Sequence, residues 1–183
     1  MLNVIRGKQY LENLSWEDQN FAVWKGQYPY KLSDNIKQTI DNILNESVDN
    51  PIELSYNNDS AGDFISSWNV NKQLHLMDDF KQLVEWIEQM FPGHCITEMW
   101  TNKTEPGGHL RAHNHAGNKY AGTYYLQAPE NCGDIIMNGF CKGDIKENDV
   151  IIFDGWVSHR TQPNNSTQDR IVIAFTMEET SGS

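Results

Sequence analysis

Apolar residues recur along this chain with two different periods, and the change falls near residue 94. In LSDNIKQTIDNIL (residues 32–44), Ile36, Ile40, Ile43 and Leu44 share one helical face, with Ser33 placed to cap and Asp34 suited to the positive end of the helix. A second helix is expected over Lys72–Met90, where Met77, Phe80, Leu83, Val84, Ile87 and Met90 form the stripe and Pro92-Gly93 ends it. Between them, residues 50–68 are rich in Asn, Ser, Asp and Gly and read as loop with one short strand. From Cys95 onward the pattern becomes short β-type runs with turn residues between them: ITEMWT, AGTYYLQ, DIIMN, DVIIFD and RIVIAFTM. The fold class expected is mainly β with flanking helices (α+β): a sandwich or jelly roll with the helices covering one outer face.

At 183 residues the chain is long enough for one domain with its own core. We therefore expect a single domain, in which residues 1–94 form a helical or mixed part packing on a β core at 95–177. A hydrophobic content of 38% argues against a disordered chain. The formal charge of −11 repels phosphates and no cluster of Lys and Arg offsets it, so nucleic acid is disfavoured as a partner. The first residues lack the apolar core of a signal peptide, and no run approaches the roughly 18 apolar residues of a membrane helix. The expected setting is the cytoplasm, with no membrane partner. Cys95, Cys132 and Cys141 match neither zinc nor redox spacing and are expected to be reduced; a Cys132–Cys141 bridge across a hairpin is disfavoured there.

Candidate chemistry is concentrated in HLRAHNHAGNKYAGTYYL (residues 109–126), which holds three of the six histidines. His113 and His115 are two apart, so on an extended chain both imidazoles point to one side and a single metal ion can touch both. Alone, such a pair is more often a surface or hydrogen-bonded pair. His159, just after the apolar run DVIIF, is a candidate third ligand that would leave metal positions open for substrate. Arg170 opens RIVIAF and alternates onto the face of Val172 and Ala174, where a buried cation needs either an anionic ligand or a carboxylate neighbour.

The order HxH, GTYYL, GD, GWVSHR and then Arg170 before an apolar strand resembles the iron(II)- and 2-oxoglutarate-dependent oxygenases, over roughly Glu98 to Met177. Residues 99–129, MWTNKTEPGGHLRAHNHAGNKYAGTYYLQAP, more closely resemble a bacterial and phage group of prolyl-hydroxylase-like oxygenases. The resemblance implies a double-stranded β-helix (a cupin-like jelly roll), Fe(II) on His113, His115 and His159, and 2-oxoglutarate and O2 as cosubstrates. It also implies Arg170 on the far carboxylate of 2-oxoglutarate, with Tyr125 hydrogen-bonded to the same group. The implied reaction hydroxylates a C–H bond and forms succinate and CO2, with a prolyl residue of a peptide or protein as first candidate substrate and a bacterial or phage-infected cytoplasm as its place. Asn102, His109 and Trp156 are candidates for substrate contact or support of the ligands. No oligomeric state is implied.

Two features depart from the family pattern. His115 stands where a carboxylate is usual, which leaves three neutral ligands and the full charge on the metal. Asp154, before Gly155-Trp156, stands near a position where the group more often has Pro-Ser, and reads as a turn residue. Two other classes stay open on the residues alone: a three-histidine cupin dioxygenase that does not use 2-oxoglutarate, and a cupin-like module that binds a ligand without catalysis. Dependence on added 2-oxoglutarate separates them.

Overall fold

In the computed structural model, residues 3–6, 21–32, 34–48, 64–70, 72–138, 140–141 and 145–180 are described. The strands in chain order are β1 (Asn3–Arg6), β2 (Ala22–Gln27), β3 (Phe64–Ser66), β4 (His94–Thr104), β5 (Tyr120–Gln127), β6 (Ile135–Met137), β7 (Phe140–Cys141), β8 (Asp149–Asp154), β9 (His159–Thr161) and β10 (Arg170–Glu179). Seven form one sheet in the order β1-β2-β8-β5-β10-β4-β3, with every pairing antiparallel. A smaller sheet, β7-β6-β9, gains a fourth member through an isolated antiparallel bridge between His113 and His159. This is a jelly roll.

The period of two in the central strands decides which residues meet the helices and which meet the interior. Tyr124, Val150, Ile152, Ile173 and Phe175 point outward, where they share a core with Ile36, Ile40, Leu83 and Ile87 of the two helices, α1 (Asp34–Val48) and α2 (Lys81–Met90). Each such aliphatic side chain, fully buried, contributes about 1.5–3 kcal/mol. Tyr125, Ile151 and Phe153 point the other way, into an inner cluster with Ile135 and Met137 of the small sheet. Gly122 is required between the two layers: a Cβ there would lie 2.4 Å from the Phe175 ring.

The sequence-based expectations hold for α1, whose predicted face is buried, and for the five strand runs. They do not hold for the first half of the second helix. Residues 74–76 and 78–80 are separate 3-10 turns, with Met77 extended between them (φ −92°, ψ 136°), and α2 begins only at Lys81. Leu74 and Phe80 are both fully buried, yet six residues on a continuous helix would put them about 120° apart. The break lets both reach the core and leaves Leu76 75% exposed. Residues 1–94 also supply sheet as well as helix, since β2 pairs with β8 and β3 with β4. The expected Ser33 cap and most of the 50–68 loop lie outside the described residues, and Cys95 and Cys132 are free thiols.

Candidate metal centre and anion site

The bridge that adds residue 113 to the small sheet also builds the histidine cluster. His113 N–H donates to His159 O at 3.0 Å and His159 N–H donates back to His113 O at 2.8 Å, so the two residues are held directly opposite each other. Their rings lie 4.2 Å apart, centroid to centroid, and His115 stands 5.2 Å and 5.3 Å from them. One ring nitrogen from each falls within 4.8 Å of the others. His115 is placed by a turn rather than by the strand. Its N–H donates to Gly155 O at 2.7 Å, and its carbonyl accepts from Asn118 N–H at 2.8 Å. A Cβ on Gly155 would meet Asn118 O at 2.2 Å, so only glycine allows this turn to pack there.

Hydrogen bonding sets the tautomers of two of the rings. Nδ1 of His113 lies 2.9 Å from Arg111 O and Nδ1 of His159 lies 3.0 Å from Val157 O. A carbonyl oxygen only accepts, so Nδ1 carries the proton in both and Nε2 keeps its lone pair. The surroundings also keep the rings uncharged. Burial, then the neighbouring His113, takes His159 down to about 3, and the same two causes take His115 to about 4. Burial also lowers His113, against the opposing hydrogen bond from Arg111. Three neutral imidazoles with converging nitrogens are a donor set suited to a divalent transition metal. Trp100 packs against His115 at 5.8 Å and Phe153 against His159 at 4.6 Å, which limits ring rotation.

Arg170 is 2% exposed. Its Nη1 donates to the carbonyls of Cys132 (2.7 Å) and Gly133 (3.0 Å), and its Nη2 to the hydroxyls of Thr104 (3.2 Å) and Thr161 (2.9 Å). All four acceptors are neutral. The carboxylate of Asp134 acts on the guanidinium electrostatically without being one of its hydrogen-bond acceptors, so the buried cation keeps an attraction for a further anion. Tyr125 is buried nearby, and Arg170 partly opposes the rise that burial imposes on its phenol. Neither threonine hydroxyl donates to an acceptor among the described residues; that of Thr161 also accepts from Leu110 N–H at 2.8 Å.

The histidine cluster and Arg170 open into one cavity of about 510 Å³ between the two sheets. Of the residues singled out in the sequence, His113, His115, His159, Arg170, Tyr125, Asn102 and His109 line it. Trp156 does not: it is 38% exposed and packs edge-on against Phe21. Asp154 has a structural partner instead, accepting from Ala22 N–H at 3.0 Å where β2 meets β8. Sequence reasoning missed Thr104, Thr161 and Glu98 as cavity residues. The alternation of β4, which puts Glu98, Trp100, Asn102 and Thr104 on one face, carried the signal for two of these.

Residues 98–140 match the family model described as "Putative 2OG-Fe(II) oxygenase". The matched segment includes His113, His115 and Tyr125 and ends before His159 and Arg170. The fold is similar to that of a 2OG-Fe(II) oxygenase-family oxidoreductase from Burkholderia pseudomallei, at TM-score 0.53 and 10% identity over 87% of this chain and 86% of the other. It is also similar to a Pseudomonas putida prolyl-4-hydroxylase (TM-score 0.55, 12% identity, 86% and 92% covered). A third likeness is to the non-heme α-ketoglutarate-dependent carbocyclase SnoK of nogalamycin biosynthesis (TM-score 0.53, 11% identity, 92% and 85% covered). No curated protein matches the chain in sequence. The likeness in sequence is thus confined to residues 98–140, and the likeness to the solved structures is one of fold, a jelly roll.

Proposed function

We propose that this chain is an iron(II)- and 2-oxoglutarate-dependent oxygenase, a hydroxylase in which His113, His115 and His159 hold the iron and Arg170 anchors 2-oxoglutarate. The observation that carries the reading is the pairing, in one cavity, of three converging neutral imidazoles with a buried guanidinium whose hydrogen-bond acceptors are all neutral. Iron(II) with 2-oxoglutarate and O2 supplies the oxidising chemistry, with succinate and CO2 as co-products, and the protein binds and orients. The carbonyls of Arg111 and Val157 hold the rings of His113 and His159 with Nε2 free for the metal. At the other site, Arg170 spends both Nη2 protons on threonine hydroxyls, and hydroxyls exchange roles easily. The far carboxylate of the cosubstrate would be held here by Arg170, with the hydroxyls of Thr104, Thr161 and Tyr125 as further donors. Trp100, Phe153 and Val172 give the cavity wall an apolar surface.

The first candidate substrate is a prolyl residue in a peptide or protein, supported by fold analogy with the prolyl-4-hydroxylase. The free thiols of Cys95 and Cys132 support a cytoplasmic setting. No helix among the described residues is long and apolar enough to cross a membrane. The test is succinate formation by the Fe(II)-loaded protein across peptide, amino-acid and nucleotide pools. Dependence on both 2-oxoglutarate and one pool is expected; turnover of a substrate with O2 but without 2-oxoglutarate would replace this reading with a three-histidine dioxygenase.

A further inference from the structure

The cavity is chemically polar along its length, and β4 sets the direction. Thr104, beside Arg170, lies at one end of the inward face of β4, and Glu98 lies six residues away, about 20 Å along an extended strand. A five-carbon dicarboxylate anchored on Arg170 is far shorter than that, so the Glu98 end is left for a second molecule. Glu98 is the one carboxylate among the described residues of the cavity wall, and it makes no hydrogen bond or ion pair with a described residue. It acts electrostatically on His75, whose own charged form is disfavoured by burial. The other cation on the wall, Arg111, has an interaction of its own.

Aromatic and apolar surface accompanies this carboxylate. Trp100 lies two residues from Glu98 on the same face of β4. Beyond β3 the pairing with β4 continues, since Ser67 N–H donates to Thr101 O and Thr101 N–H donates to Ser67 Oγ, both at 2.9 Å. Trp68 follows directly on that strand, lines the cavity and is 51% exposed. Val48, at the end of α1, is another exposed apolar residue of the same wall. Indole faces beside a carboxylate are the chemistry that receives an organic cation on an apolar stem.

Resting on the oxygenase reading above, we infer that the substrate of this site carries an organic cation on an apolar stem, received by Glu98, Trp68 and Trp100 at the end of the cavity remote from Arg170. The cation is a recognition element and need not adjoin the C–H bond that reacts. Both an alkylamine and the basic side chain of a peptide carry it.

The test is calorimetric titration of the full chain, loaded anaerobically with Fe(II) and 2-oxoglutarate, with three probes: pentylamine, lysine capped at both ends, and norleucine capped in the same way. The lysine probe is expected to bind about tenfold or more tighter than the norleucine probe, the scale of one charge-assisted contact. Glu98→Gln should remove that preference, and Trp68→Leu should weaken both amines while Trp68→Phe retains most of the affinity. Pentylamine binding as tightly as capped lysine indicates a free amine, and tighter lysine binding a peptide. Equal binding of lysine and norleucine probes, no binding of either, or an unchanged preference in Glu98→Gln overturns the inference. The readout is heat, so it stands apart from turnover: missing succinate formation counts against the site assignments above, and a missing amine preference against this inference alone.

Discussion

His113 and His159, 46 positions apart in the chain, exchange two backbone hydrogen bonds of 3.0 and 2.8 Å and bring their rings to 4.2 Å. The proposed metal centre would thus be a by-product of strand pairing: the contact that closes the small sheet also aligns two imidazoles. His159→Ala should therefore abolish stoichiometric Fe(II) binding while leaving the backbone pairing intact, because His113 and His115 alone make an open two-ligand site. Metal content after dialysis and the circular dichroism of the metal-free variant check both halves. Iron retained at full affinity would remove His159 from the ligand set.

His115 and His113 should respond differently to a carboxylate. His115 is carried on a turn, and His115→Asp places an oxygen ligand where the family pattern it resembles has a carboxylate, so iron and some 2-oxoglutarate turnover should survive. His113 is fixed by the paired strand and by Arg111 O, and His113→Asp should lose both. Iron content and succinate production are the measurements, and equal, undiminished values in the two variants would mean that neither residue is a ligand.

Arg170→Ala should raise the 2-oxoglutarate concentration needed for half-maximal turnover by roughly 10- to 150-fold, the equivalent of about 1.5–3 kcal/mol for hydrogen bonds to a charged group. Iron affinity should barely change. Arg170→Lys should recover part of the loss, since it restores charge without the planar fork. A 2-oxoglutarate requirement unaltered in both variants would place the anion site elsewhere.

Gly155→Ala separates support of a ligand from the ligand itself. Its Cβ would press on the 115–118 turn, at a cost of about 1–3 kcal/mol, and displace His115. We expect a lower Tm together with weaker metal binding, whereas Gly117→Ala, with open space around its Cβ, should alter neither. Thermal melts with and without Fe(II) report the difference.

The pH dependence of the metal-free protein follows from the lowered imidazoles. His113, His115, His159 and His75 all hold protons less tightly in the folded state than the unfolded value near 6.5. As pH falls through 6.5 the unfolded chain takes up protons that the native state refuses, so stability drops, and it continues to drop until the folded groups titrate, at about 4 for His115 and about 3 for His159. The urea midpoint should therefore be lower at pH 5.5 than at pH 7.5, a range in which most carboxylates stay ionised. His159→Gln should flatten the difference, and a midpoint that rises on acidification would contradict the burial argument.

Much of this protein is legible in local pattern. The stripe of Ile36, Ile40, Ile43 and Leu44 determined α1, and the alternation in YAGTYYLQ and DVIIFD determined central strands whose two faces serve different cores. The two-residue spacing of His113 and His115, with His159 and Arg170 downstream, singled out residues that the fold brings into one cavity. Periodicity reports only which way a side chain points along its own element, and this is where the sequence stops. It cannot register that Met77 must be extended so that Leu74 and Phe80 both reach the core, nor that Trp156, beside a glycine in a motif-like run, faces away from the cavity. It gives no sign that Thr104 and Thr161, 57 positions apart, hold one guanidinium between them, or that an unremarkable Glu98 ends up in the same cavity as Arg170. Those relations depend on strand order and register, which are decided by contacts between residues far apart in the chain, and only the assembled sheets put them in place.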